Sequence, residues 1–195
     1  MKNLIKKILR EGFDWIQDNS ISGEELEELI RKTGATSIPF DRVSGHLDLR
    51  ETKIQSLGNL QSVGGYLNLW GTPIKDLGNL QSVGGSLGLS GTPIKDLGNL
   101  QSVGGSLNLY GTKIKDLGNL ETVGGYLDLW GTPIQSLGNL QSVGSYLYLV
   151  GTKIKDLGNL QSVGGGLNLR GTPISKKYSE EQIRQMVQVN GNIYL

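Results

Sequence analysis

A 20-residue unit recurs seven times along this chain without insertion, and that regularity leaves few folds open. Val43, Val63, Val83, Val103, Val123, Val143 and Val163 each open one copy. Read from Val63, a copy runs VGGYLNLWGTPIKDLGNLQS, with apolar residues at Val63, Leu67, Leu69, Ile74, Leu77 and Leu80. Leu67 and Leu69 alternate with polar or aromatic neighbours, which is the period of a strand. The rest of the unit is too short and too rich in Gly and Pro for a helix. Each unit is therefore predicted to be one coil: a short strand, a turn at Gly71-Thr72 and an extended return through Leu77-Gly78-Asn79-Leu80. Stacking pairs every strand with its counterpart in the next unit, in a parallel sheet spaced about 4.8 Å per strand. The predicted fold is a parallel β-solenoid of about seven coils.

The pattern L-x-L-x-G-T-x-I-x-x-L-x-x-L resembles the leucine-rich repeat in its shortest form, over residues 43–174. The resemblance implies a leucine-rich-repeat-like solenoid of the kind found in bacterial and bacteriophage proteins. The chain departs from the commonest pattern in one column. Thr52, Thr72, Thr92, Thr112, Thr132, Thr152 and Thr172 stand where that family usually places an inward Asn. The column lies between inward Leu69 and Ile74, so it is expected to be a buried ladder whose hydroxyls satisfy backbone groups at the turn. That placement disfavours ice binding, which needs threonines on a flat outer face.

A solenoid's terminal coils expose strand edges, so the ends need caps. Residues 1–42 are expected to form a helical N-terminal cap and link. Leu4, Ile5, Ile8, Leu9, Phe13 and Ile16 recur at helical spacing. Ser22 and Glu25 make a capping box for a second helix carrying Leu26, Leu29 and Ile30, which Gly34 stops. Beyond residue 174, Ser179 opens a C-terminal helix with Ile183, Met186 and Val187 on one face. Residues 189–195 then align with 63–69, predicting a final strand after a helix that adds six residues to the unit. The edge of that strand suits pairing with a second copy.

The outward strand positions carry the functional signal. With Leu67 and Leu69 inside, positions 66, 68 and 70 of each unit point out. Eight of the twelve aromatic residues lie in these three columns, which hold only 23 of the 195 positions. Folding does not require exposed Trp and Tyr, and their concentration marks a binding surface. Strand propensity and mutual stacking offer a purely structural alternative. Against it, these positions vary most in a unit that is otherwise nearly constant. The candidate partner-binding residues are Tyr66, Asn68, Trp70, Tyr110, Tyr126, Asp128, Trp130, Tyr146 and Tyr148. Tyr66-Asn68-Trp70 and Tyr126-Asp128-Trp130 are near copies three coils apart, roughly 14 Å. Ser86, Gly88 and Ser90 between them make a floor of small side chains, a shallow trough for part of a protein partner or for sugar rings.

Composition removes other classes. The chain has 19 Lys+Arg against 18 Asp+Glu, and a near-neutral balance gives no charge-driven hold on nucleic acid or an anionic membrane. There is no Cys and a single His, which excludes thiol chemistry and the common zinc sites. No cofactor motif is present, since no helix follows the repeated Gly-Gly pairs. His46, Asp48 and Arg50 share the first strand without a nucleophile nearby, so no catalytic residues are assigned and a non-enzyme is expected. No apolar run approaches a membrane span and no signal-peptide core forms, so the expected location is the cytoplasm, or a host cytoplasm or particle if the chain is viral. A non-catalytic protein-interaction module (an effector, inhibitor or accessory factor) is the leading expectation. A carbohydrate-binding protein and a structural component joined through its ends are the alternatives.

Overall fold

The computed structural model describes residues 20–195, so the helical stretch expected from Leu4 to Ile16 lies outside them. Strand β1 (Ser20–Ser22) and helix α1 (Gly23–Thr33) come first, followed by β2 (Arg42–Ser44) and β3 (Leu47–Asp48). Each later coil repeats a pair. The first coils give β4 (Ser62–Val63) with β5 (Leu67–Asn68), and β6 (Ser82–Val83) with β7 (Leu87–Gly88). Then come β8 (Ser102–Val103) with β9 (Leu107–Asn108), and β10 (Thr122–Val123) with β11 (Leu127–Asp128). The series continues with β12 (Ser142–Val143) and β13 (Leu147–Tyr148), then β14 (Ser162–Val163) and β15 (Leu167–Asn168). Helix α2 (Glu180–Met186) leads to β16 (Gln188–Val189) and β17 (Ile193–Tyr194).

The fold is a parallel β-solenoid of about seven turns with a helix near each end. Two strands form per coil rather than the single one expected. The even-numbered strands, with β1, build a nine-stranded parallel sheet, and β3 to β17 build an eight-stranded one. The reason is the bend at Gly64-Gly65 between β4 and β5, which recurs in the later coils. A Cβ on Gly84 would lie 2.2 Å from the Gly64 carbonyl oxygen, so this close stacking of Gly84 on Gly64 requires glycine. Register never slips: Leu47 pairs with Leu67, Leu67 with Leu87, and so on through the stack. The last pairings, Val163 with Val189 and Leu167 with Ile193, carry the expected six-residue insertion.

The core is one continuous aliphatic column. Val63, Leu67, Leu69, Ile74, Leu77 and Leu80 are each at most 1% exposed, and their counterparts from Val43 to Ile174 are buried alike. Each such side chain contributes about 1.5–3 kcal/mol by leaving water. The threonine ladder lies inside as expected. The Thr72 hydroxyl donates to the Leu69 carbonyl at 2.7 Å, and the same bond recurs from Thr52 to Thr172. Thr52, on the first coil, is only half-buried.

Both α-helices among the described residues start as their sequences direct. Ser22 and Glu25 close the capping box of α1, and Gly34 ends it at φ 65°. Ser179 and Gln182 make a second box for α2. Ile183 is fully buried, but Met186 is 47% exposed, contrary to its expected place on the buried face. The helix stops at Met186, and Val187 turns extended and enters the core instead. Strand β1 was not legible as a strand. It sets Ile21 beside Val43 and so extends the first sheet by one row.

Candidate functional site

The second sheet places the candidate residues on one face. Tyr66, Trp70, Tyr110, Tyr126, Trp130 and Tyr146 are between 38% and 52% exposed. Asn68, Asp128 and Tyr148 are half-buried in the middle column. The strand period explains the shared face, because Leu67 and Leu69 point inward and hold their neighbours out.

The aromatics are not isolated. Tyr146 and Tyr148 stack with centroids 5.8 Å apart, and Tyr148 meets the edge of Tyr126 at 6.5 Å. Tyr110 and Trp130 form a perpendicular pair at 5.9 Å. At the first coil His46 stacks on Tyr66 at 4.4 Å, and its Nδ1 accepts the Tyr66 N–H at 3.1 Å. His46 thus completes the first ridge and stands beside the N-terminal cap, where a Cβ on Gly23 would collide with its carbonyl oxygen.

The middle column has a structural role that sequence reasoning missed. Asn68 Oδ1 accepts the Trp70 N–H at 3.1 Å, and Asn108, Asp128 and Asn168 do the same two residues ahead. These Asx bonds fix the turn that presents Trp70, Tyr110 and Trp130. The repeated Asn and Asp were the available signal. Gly88 and Tyr148 interrupt the column, so those two coils hold the turn without a side-chain acceptor at this position.

Between Tyr66 and Tyr126 lies a trough of about 320 Å³, floored by Asn68, Ser86, Gly88, Ser106 and Asn108. Its polar atoms share one orientation. Ser86 Oγ accepts the Ser106 N–H at 3.0 Å, and Ser106 Oγ accepts the Tyr126 N–H at 3.1 Å. The Asn acceptors are likewise engaged by backbone. The floor therefore offers chiefly hydroxyl hydrogens and amide N–H groups to an occupant. Ser90, expected on the floor, is half-buried and is not among the lining residues.

Charge on this face is sparse and balanced. Asp48 and Arg50 pair at 2.6 Å. Arg50's hydrogen bond holds the Asp48 carboxyl below its ordinary 3.8, with burial opposing the shift. A larger groove of about 640 Å³ runs along the first sheet over Ser62, Gly64 and their counterparts, and presents main chain and small side chains. Among the described residues no group of three or more His, Asp or Glu is placed to hold a metal ion. No described helix is long and apolar enough to cross a membrane. Comparison with protein-family models, curated proteins and solved structures gave no match for the chain.

Proposed function

We propose that the chain is a non-catalytic interaction module that holds a protein partner on the second sheet's outer face. One observation carries the reading: six large aromatic side chains stand exposed on a single face, and two of them, Tyr66 and Tyr126, line a trough with an uncharged floor. Aromatic anchors around a concavity supply most of the affinity in protein interfaces. The backing is preorganised, because Asx bonds and ring contacts hold the anchors before any partner arrives. The likeness of the repeat to short leucine-rich repeats of bacterial and bacteriophage proteins fits an effector, inhibitor or accessory factor.

The donor-rich floor favours a second reading, a neutral carbohydrate stacked on Tyr66 and Tyr126 with its oxygens toward Ser86, Ser106 and the Asn amides. Changing Tyr66, Trp70, Tyr126 and Trp130 together to Ser tests the face. Loss of four anchors lowers affinity at least about a thousandfold. A protein captured by the wild type and released by the folded variant supports the first reading. Equal capture by both overturns it, and binding on a glycan array that the variant loses establishes the second.

A further inference from the structure

We infer that the trough between Tyr66 and Tyr126 receives a carboxylate side chain, an Asp or Glu of the partner, which rests on the reading of this face as protein-binding. A gap in a side-chain column opens the trough, and the groups the gap uncovers set what enters it.

The gap is Gly88. In the middle column Asp48 pairs with Asn68, and Asn108 with Asp128. Gly88 breaks the series between Asn68 and Asn108. A Cβ built on it would lie 3.1 Å from Asn68 Oδ1 and 3.5 Å from Asn68 Cγ, so a side chain there would cover that amide. The backbone does not ask for glycine at this point, because Gly88 has no positive φ and the equivalent rows hold Asn, Asp or Tyr. With Ser86 and Ser90 beside it, this is the coil whose three outward residues are all small.

The gap uncovers donors. Asn68 and Asn108 line the trough, and each gives its Oδ1 to a backbone N–H, at 3.1 and 3.0 Å. Among the described residues no acceptor meets their amide N–H groups. Ser86 and Ser106 likewise accept backbone N–H groups, which leaves their hydroxyl hydrogens for an occupant. The turn itself takes an acid equally well. Asp128 Oδ1 accepts the Trp130 N–H at 2.9 Å, and Asp48 Oδ1 that of Arg50 at 3.1 Å. Inside the trough both places hold the amide, and the lining contains no carboxylate. Amide, hydroxyl and ammonium groups would bring hydrogens of their own against this floor. The ionised carboxylate is the side-chain group that brings only acceptors. Its bonds are charge-assisted, and roughly twice as strong as those between neutral groups.

Nitrogen-15 NMR of the chain, titrated with N-acetylglutamate α-amide and separately with N-acetylglutamine α-amide at neutral pH, tests the inference. The side-chain N–H resonances of Asn68 and Asn108 should move saturably with the glutamate probe, with a Kd on the order of 10 mM. The glutamine probe should bind at least about tenfold more weakly. Gly88→Asn installs the residue that stands at 68, 108 and 168, and should fold as the wild type does and lose the response. Asn68→Asp keeps the turn acceptor and reverses the floor's polarity, so it should lose the response even if the first variant misfolds. No response, an equal response to both probes, or a response that survives in the folded variants overturns the inference. Glucuronate acting at lower concentration than the glutamate probe also overturns it, in favour of acidic sugars. A silent trough leaves the aromatic face standing, because that reading falls only when the folded four-serine variant captures as the wild type does.

Discussion

Glycine has two separate duties in each coil, and the first coil shows what happens when one is neglected. Gly71 and its counterparts to Gly171 turn the chain at φ near 70°, a region open to them for want of a Cβ. Glu51 holds that position in the first coil with φ 58°. An L side chain is strained there by about 1–2 kcal/mol, part of which the greater freedom of unfolded glycine offsets. Glu51→Gly should therefore stabilise the protein by about 0.5–1 kcal/mol. The Gly84 column has the other duty, close approach. Gly84→Ala brings a Cβ within 2.2 Å of the Gly64 carbonyl oxygen and should destabilise by about 3 kcal/mol. Thermal melts of the two variants, read together, should move in opposite directions.

At the scale of the element, the caps use side chains as substitute strands. Asp48 joins both parts of the head: its backbone bonds to Glu27 and Arg31 of α1, and its carboxylate binds Arg50. Because Arg50 lowers the Asp48 pKa on folding, the resulting stabilisation is present above the unfolded value near 3.8 and fades as pH falls through the folded value. Asp48→Asn should lower the melting temperature slightly at neutral pH, and the gap to wild type should narrow as pH falls below the unfolded value near 3.8. The coil itself was legible because its apolar letters recur at every Val, Leu and Ile position. The division into two strands was not, since two residues such as Ser62–Val63 are too few to show alternation and Gly64-Gly65 reads only as a turn. The aromatic face was visible as letters at 66, 68 and 70. The double role of Asn68 was hidden, because an outward polar residue and an Asx acceptor look the same in a sequence.

On the scale of the molecule, each strand among the described residues pairs only with its neighbours in the stack, and the coils share one register. A chain lacking residues 83–102 should therefore still fold, since Ser82 followed by Val103 restores the same unit. Circular dichroism and a cooperative melt would check this. The deletion brings the Tyr66 and Tyr126 ridges from three coils apart to two, from about 14 Å to about 10 Å. Ligand affinity should fall although every ridge residue remains, because the floor they flank has been shortened. The unbroken register thus makes the face a ruler graduated in coils. Gain or loss of a unit moves one ridge by a full division, and point substitution changes what stands at a mark without moving the mark. A lineage of such chains would tune its ligands' length in steps and their chemistry continuously.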